Sequence, residues 1–270
     1  MLRATLTLLI FLASPLAALA QLKTDAPTVL ITGANRGLGL ELARQYADRG
    51  WNVIATSRHS GNDPALAELH AVAAKHPQLV IERIDVTDTA SIRAVAAKYH
   101  DQPIDVLLNN AAAVEETFAL DMQKVNQTYD QIDYDAARHD FDVNTLGPMR
   151  MVEAFTTNVE RSKQKKFATI TSLAGSFARG FPDARGMNYS ASKAALNKYM
   201  NMLAFAVKPK GMLVGLYQPI FVATKRDMKS MQQATPVDKA VAKLIKEIDN
   251  LSAERSGKIT NFETGQIDPF

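Results

Sequence analysis

The 270-residue sequence contains no cysteine, which excludes disulfides, cysteine metal ligands and a cysteine nucleophile. It has no long basic run, and its formal net charge is only +3. So small an excess of positive charge gives no electrostatic support for a nucleic-acid partner. Internal repeats and low-complexity linkers are also absent, which favours a single domain over residues 27–270.

The first 20 residues differ from the rest of the chain. They carry one early cation, Arg3, then an uncharged apolar run that ends in Ala18-Leu19-Ala20. This ending is typical of a signal-peptidase site, so we expect export to a periplasm or a secretory route after cleavage behind Ala20. Pro15 and the short apolar core favour a cleaved leader. The alternative is an uncleaved anchor that leaves the domain facing the cytoplasm.

After about residue 27, short apolar segments alternate with helical patterns. We predict strands over residues 28–32, 52–57, 79–85, 104–108, 167–172, 212–217 and 258–261. Helices are predicted over residues 36–50, 64–76, 90–100, 134–161, 189–207 and 236–251. This alternation predicts an α/β fold, a Rossmann-type doubly wound parallel sheet with helices on both faces. Ligands of such a sheet bind beyond the carboxyl ends of its strands.

The junction between the first strand and the first helix is rich in glycine. Gly33, Gly37 and Gly39 have the spacing G-x-x-x-G-x-G, rather than the G-x-G-x-x-G of the common dinucleotide fingerprint. A tight turn would need one glycine, whereas three allow a ligand to approach the backbone closely. The helix N-terminus that follows offers free N–H groups to a pyrophosphate.

Tyr189 and Lys193 lie four residues apart in a helical pattern, so they share one helix face. An ammonium beside a phenol favours the phenolate, so we expect Lys193 to lower the pKa of Tyr189 from its usual value near 10. That pair would serve acid–base chemistry. An ordinary amphipathic pair is the alternative.

Taken in order, TGANRGLG, DVTD, NNAA, the region of Ser172 and YSASK resemble the short-chain dehydrogenase/reductase family. The late segments VKPKGMLVGLYQPIFVAT and SGKITNFETGQIDPF are similar to its compact carbonyl-reductase-like and cell-signalling-factor-like branch. The resemblance implies hydride transfer between a nicotinamide and a carbonyl or alcohol. Tyr189 would donate the proton, Lys193 would hold the ribose, Ser172 would bind the carbonyl oxygen and Asn144 would help to position a relay water.

The resemblance also implies a cofactor site along the strand ends. Asp85 would contact the adenine, Asn109 would line the cofactor channel, and Val222 and Thr224 would bind the nicotinamide amide. The other expected cofactor-binding residues are Gly33, Asn35, Arg36, Gly37, Leu38, Gly39, Arg58, Val86, Tyr189 and Lys193.

The end of the second predicted strand lacks the acid that NAD-binding sites use for the ribose hydroxyls, and none follows until Asp63. Arg58 stands there instead, and Arg36 lies in the glycine turn; the guanidinium of either suits the 2′-phosphate of NADP. The sequence therefore favours NADP (NADPH) over NAD.

Three positions depart from the family pattern. Ala112 replaces the last glycine of NNAG, Ile220 replaces the glycine after Pro219, and 17 positions separate Ser172 from Tyr189. These changes put cofactor affinity and pocket shape in question. They keep open a non-catalytic nucleotide-binding or signalling protein as the rival interpretation.

Two further expectations concern substrate and assembly. Apolar side chains near the strand ends suggest an apolar carbonyl compound, or else ordinary packing; they are Phe177, Phe181, Met187, Phe221 and Met228. The family resemblance implies a homo-oligomer, a dimer or tetramer formed through the long helices.

Asn188-Tyr189-Ser190 forms a glycosylation sequon. A glycan there would block the site, which disfavours a glycosylating compartment.

Overall fold

One eight-stranded sheet organises the chain. The computed structural model describes residues 22–113, 129–130, 132–179, 186–219, 222–224 and 234–270. The strand order is β3-β2-β1-β4-β5-β6-β7-β8, parallel throughout except for the antiparallel pairing of β7 with β8. The strands are β1 (Thr28–Ile31), β2 (Asn52–Ser57), β3 (Leu79–Arg83), β4 (Val106–Asn109), β5 (Lys166–Ile170), β6 (Leu213–Gln218), β7 (Ile259–Asn261) and β8 (Ile267–Asp268).

Helices connect the parallel strands. They are α1 (Gly37–Asp48), α2 (Ala67–Ala73), α3 (Thr89–Lys98), α4 (Tyr134–Phe141), α5 (Gly147–Glu160), α6 (Met187–Val207) and α7 (Val237–Asp249). The predicted fold class, a doubly wound parallel sheet with helices on both faces, is confirmed.

The central strand β1 shows why the sheet needs a helix layer on each face. All four of its residues are buried. Val29 and Ile31 belong to a core with Leu42 of α1, whereas Leu30 belongs to a second core with Phe155 of α5. Because successive side chains of a strand point to opposite faces, a continuous apolar strand is stable only between two such layers.

The helix predicted over residues 134–161 is interrupted. A π-helical turn, Asp142–Leu146, separates α4 from α5. Pro148 has no N–H, so the α-helical bond to the carbonyl of Asn144 cannot form at that position. The N–H of Gly147 instead donates to the carbonyl of Asp142, five residues back.

Two other elements differ from the prediction. Residues 64–76 begin with a 3₁₀ turn, Pro64–Leu66, which Asp63 caps through the N–H of Ala65 (2.9 Å). The short strand β8 was not predicted at all. It returns along β7 after a turn in which Gly265 has φ +74°, so that Asp268 lies opposite Ile259.

Candidate active site

The carboxyl ends of β1 to β4 meet at one edge of the sheet and form a cleft of about 580 Å³. Ten of the predicted cofactor residues line it: Gly33, Asn35, Arg36, Gly37, Leu38, Gly39, Arg58, Asp85, Val86 and Thr224. The exposed Ala112 also lies on its wall. The cleft therefore gathers the segments after β1, β2, β3 and β4 into one surface.

The glycine turn is packed too tightly for side chains. Gly33 has φ +67°, and a Cβ on Gly39 would lie 2.2 Å from the carbonyl oxygen of Gly33. The N-terminus of α1 has no side-chain cap and no acidic residue in its first turn. Its N–H groups and the positive end of its dipole suit an anion at this point of the cleft.

Asn110 holds the glycine turn, a role that the sequence analysis missed. Its Nδ2 donates to the carbonyls of Thr32 (2.9 Å) and Gly33 (3.1 Å). The hydroxyl of Thr32 accepts in return from the backbone N–H groups of Asn110 and Ala111, each at 3.0 Å. This network joins the segment after β1 to the segment after β4, and therefore fixes the two walls against each other.

The cleft wall carries both positive and negative charges. Arg36 and Arg58 are exposed on its wall, while Asp85 lies at the end of β3. Partial burial opposes the charge of Asp85, but hydrogen bonds from Thr87 and the nearby charge of Arg58 outweigh it and lower its pKa. Asp85 is thus an ionised acceptor of the kind that an adenine amino group requires.

Ser172, Tyr189 and Lys193 form a cluster beside the end of β5. The side chain of Ser172 hydrogen-bonds with that of Tyr189. Lys193 is 2% exposed, and its Nζ donates to the carbonyl of Ile170 (3.1 Å) and lies 5.7 Å from the centre of the Tyr189 ring. Three of the four residues predicted to be catalytic are therefore neighbours in the fold.

The pKa of Tyr189 differs from the sequence-based expectation. Burial raises it to about 12, and the hydrogen bond from Ser172 only partly offsets this. Burial likewise lowers the pKa of Lys193 to about 8, although the negative charge of Asp140 favours its ammonium form. Each group is pushed toward its neutral form, because desolvation outweighs the interactions that favour its charged form.

Asn144 lies in the π-helical turn and is completely buried. Its side chain exchanges two hydrogen bonds with the backbone of Ala113, both 2.9 Å, and donates to the hydroxyl of Ser192 (3.1 Å). That hydroxyl donates in turn to the carbonyl of Tyr189 (2.7 Å). The side chain of Asn144 thus ties α6 to the segment after β4, and its role with a relay water stays a prediction.

Four predicted cofactor residues do not line the cleft: Tyr189 and Lys193 belong to the cluster beside β5, and the other two are Asn109 and Val222. Asn109 is buried at the end of β4, with its Nδ2 3.5 Å from the hydroxyl of Thr169. Val222 is buried in an isolated bridge with Thr235. Their contact with a cofactor stays a prediction, and for Val222 that prediction concerns the main chain rather than the buried side chain.

The predicted substrate residues are only partly described. Phe177 is 92% exposed, and Met187 begins α6 half-buried. Phe181, Ile220, Phe221 and Met228 lie outside the described residues, as does the predicted N-terminal leader. Within the described part, no helix is both long and apolar enough to cross a bilayer.

The sequon residue Asn188 is buried and donates to the carbonyl of Asp133 (3.2 Å), so the folded chain does not offer it to a glycosylating enzyme.

Several cleft residues were not predicted. They are His59, Ala65, Ile84, Asn110, Ala111 and Val143. His59, Ile84 and Asn110 each adjoin a predicted residue at a strand end. Including the immediate neighbours of the predicted residues would therefore have found them. Val143 comes from the π-helical turn, and only the fold brings it to the cleft.

Comparison with known proteins agrees with this geometry. The profile of short chain dehydrogenases matches residues 27–235. A 1-hydroxy-2-glutathionyl-2-methyl-3-butene dehydrogenase from Rhodococcus is 33% identical over 234 residues, 86% of this chain and 94% of that protein. The C-signal protein of Myxococcus xanthus is 29% identical, over 65% of this chain and 99% of its own. The NADPH-bound carbonyl reductase from chicken fatty liver superposes with a TM-score of 0.79 at 28% identity, covering 91% and 99% of the two chains.

A Rossmann-type sheet with this cleft and these relatives defines an NAD(P)-dependent oxidoreductase. The chain belongs to the short-chain dehydrogenase family, and the resemblance inferred from its motifs is confirmed.

Proposed function

We propose that this protein reduces an aldehyde or ketone with NADPH. The observation that carries the proposal is the position of the hydrogen-bonded Ser172–Tyr189 pair and Lys193 at the same sheet edge as a glycine-lined cleft. The NADPH-bound carbonyl reductase from chicken, with its similar fold, supports the proposal.

The cleft fits a dinucleotide. A Cβ on Gly39 would collide with Gly33 and Asn110, so glycine lets α1 begin directly against the turn. The first turn of α1 has no side-chain cap, so its N–H groups can bind a pyrophosphate. Arg36 and Arg58 supply positive charge beside the end of β2, where a 2′-phosphate would need it. Asp85 would accept from the adenine. The structural fit and the two arginines together favour NADPH over NADH.

The residues of the cluster have separate roles in the proposed reaction. The bound nicotinamide supplies the hydride. Tyr189, whose raised pKa keeps it a phenol at neutral pH, gives its proton to the carbonyl oxygen. Ser172 hydrogen-bonds the same oxygen and so places it against the Tyr189 hydroxyl. An ammonium has three N–H donors, and the bond to Ile170 uses one of them, so Lys193 has donors to offer the ribose hydroxyls.

Tyr189→Phe tests the catalytic role. Removing the proton donor should lower kcat for an aromatic aldehyde such as 4-nitrobenzaldehyde by about 10²- to 10⁴-fold, the usual contribution of a general acid. The dissociation constant for NADPH, measured by nicotinamide fluorescence, should change less than about twofold, because the phenol oxygen contributes little to dinucleotide binding. A mutant with wild-type turnover would refute the assignment. A wild-type protein that binds NADPH but reduces no carbonyl compound would favour the non-catalytic, signalling interpretation.

Arg58→Ala tests the cofactor preference. Losing one charge-assisted contact with a 2′-phosphate should weaken NADPH binding by about 10- to 100-fold and leave NADH binding nearly unchanged. Arg83→Ala is the matched control, because Arg83 is an exposed arginine at the end of β3 that does not line the cleft. If Arg58→Ala weakens the affinity for NADPH and for NADH equally, the assignment of Arg58 to the 2′-phosphate is contradicted.

A further inference from the structure

A histidine stands beside the arginine assigned to the 2′-phosphate. The chain has five histidines, all in the part that the structure describes, and of these only His59 lines the cleft. It follows Arg58 directly, just beyond the end of β2, and its backbone N–H donates to the hydroxyl of Ser57 (3.2 Å). The main chain of His59 is thus tied to the end of β2, where a 2′-phosphate would need positive charge.

Asp63 orients the imidazole ring of His59. Its carboxylate oxygen lies 2.7 Å from Nδ1 of the ring, and both side chains are partly exposed. The N–H of Ala65 and the hydrogen bond with His59 hold the pKa of Asp63 below its usual value, so this group is a carboxylate at neutral pH. A carboxylate only accepts hydrogen bonds, so Nδ1 carries a hydrogen whether the ring is neutral or charged. The proton that the ring gains or loses with pH is therefore the one on Nε2.

Nε2 is the ring atom left for a ligand, because it has no hydrogen-bond partner among the described residues. When it is protonated, it is an N–H donor on a cation, which a phosphate oxygen accepts strongly. When it is neutral, it has only a lone pair and cannot donate. Histidine side chains change between these forms at pH values from about 5 to 8. The help that this position can give to a bound phosphate therefore depends on pH.

Other charged groups surround His59 on neighbouring segments. They are Arg36 after β1, Arg58 and Asp63 on its own loop, His70 of α2, whose ring is bonded to that loop, and Arg83 and Asp85 at the end of β3. Arg36 and Arg58 oppose a third positive charge on the cleft wall, whereas a phosphate bound between them favours it. Protonation of His59 and binding of a phosphate are therefore linked, and each promotes the other.

We propose that His59 is a pH-dependent determinant of cofactor choice: its protonated ring, oriented by Asp63, binds the 2′-phosphate of NADPH through Nε2. The proposal rests on the proposed function, because it needs an NADPH site in this cleft. It deepens that function by making the preference for NADPH over NADH increase as pH falls. The two arginines alone would not do this, since arginine keeps its charge throughout this range.

The test compares His59→Gln with the wild type in titrations of NADPH and NADH near pH 6.5 and near pH 8.5, read by nicotinamide fluorescence. If a bound phosphate moves the titration of an ordinary histidine up by about one pH unit from 6.5, linkage gives about fivefold in affinity at the lower pH and almost nothing at the higher. His59→Gln should therefore weaken NADPH binding about fivefold near pH 6.5 and less than about twofold near pH 8.5. NADH, which lacks the 2′-phosphate, should bind each protein with an affinity within about twofold at both pH values. The 2′-phosphate itself titrates near pH 6, but this contributes equally to both proteins.

Two further variants separate the charge of His59 from other effects. His70→Gln is the matched control, because His70 is an exposed histidine whose Nε2 lies 3.1 Å from the carbonyl of Gly61 in the same loop, and it does not line the cleft. It should leave both affinities unchanged at both pH values. His59→Arg replaces the titrating charge with a permanent one. It should bind NADPH near pH 8.5 about as tightly as the wild type does near pH 6.5.

Proton NMR gives a readout on the ring itself. The Hε1 resonance of His59, assigned by its loss in His59→Gln, should titrate at a higher pH with NADPH bound than with NADH bound. The same titration with both cofactors would overturn the proposal. So would a His59→Gln variant that binds NADPH like the wild type near pH 6.5, or one that loses NADPH and NADH equally, since His59 would then contact only what the two cofactors share.

Failure of the proposed function gives a different pattern. A protein that shows the pH-dependent preference for NADPH but reduces no carbonyl compound would refute carbonyl reduction and keep the role of His59. A protein that reduces carbonyl compounds with NADPH, yet has the same cofactor preference with and without His59, would refute the role of His59 alone. A protein that binds neither cofactor would refute both.

Discussion

Replacing Gly39 with alanine should weaken both the folded state and cofactor binding. A Cβ on Gly39 would lie 2.2 Å from the carbonyl oxygen of Gly33 and 2.5 Å from Nδ2 of Asn110. The first contact is short of an ordinary van der Waals distance by more than about 1 Å. Because a carbonyl and a hydrogen-bonded amide cannot both retreat that far, the turn itself must move.

The size of the effect follows from what that movement breaks. The two hydrogen bonds of Asn110 with the turn contribute about 1 kcal/mol each. Overpacking costs about 1–3 kcal/mol, and alanine regains up to about 1 kcal/mol of helix propensity at the start of α1. We therefore expect the free energy of unfolding to fall by about 2–4 kcal/mol. Losing one charge-assisted N–H contact with the pyrophosphate should weaken NADPH binding about 10- to 100-fold.

Fluorescence titration of NADPH and urea unfolding measure the two effects. Gly61→Ala is the control, since Gly61 has φ +61° with nothing within 4 Å of its Cβ position. It should cost about 1–2 kcal/mol of stability through backbone strain alone and leave the affinity unchanged. An NADPH affinity for Gly39→Ala within twofold of the wild type would refute the inference that this turn holds the pyrophosphate.

Two further predictions concern buried lysines. Burial lowers the pKa of Lys193 to about 8 from 10.5, so the unfolded chain binds more protons between these values and stability rises with pH there. Between pH 7 and pH 10.5, the unfolding free energy of the wild type should rise by about 2–3 kcal/mol relative to that of Lys193→Met. If urea titrations show the same difference between the two proteins at both pH values, the prediction is contradicted. Lys166 donates to the last carbonyls of α7, those of Ile248 and Asp249, both at 2.9 Å. Lys166→Met should lower the unfolding free energy by about 2 kcal/mol and leave NADPH binding unchanged, and an unaltered urea midpoint would show that this cap contributes no stability.

The sheet was predictable because its signal is local. A strand such as β1, apolar at every position and followed by a glycine turn and a helical pattern, is typical of a parallel strand buried on both faces. The glycine spacing and the interval between Tyr189 and Lys193 likewise predicted parts of the candidate site from local sequence. Each of these patterns depends on residues only a few positions apart.

Features that depend on distant contacts were missed. The hydrogen bonds of Asn110 span 78 positions to Thr32, and no periodicity marks them. The raised pKa of Tyr189 depends on burial, whereas the sequence shows only its nearness to Lys193. The π-helical turn had a local signal, Pro148, but the helical pattern on either side of it outweighed that proline. β8 has two residues and carries a buried acid, so it lacks the apolar alternation from which strands are recognised.

The residues just beyond β8 have a consequence for the margin of the sheet. An open edge strand exposes backbone groups that can recruit a strand from another molecule, which begins aggregation. Here β8 has only two residues and is followed by Pro269, which has no N–H. The main-chain oxygens of Pro269 and Phe270 accept hydrogen bonds from Ser176 and Ala178. The acceptors that follow β8 are therefore satisfied within the chain, and a variant that loses these hydrogen bonds should be more prone to aggregate.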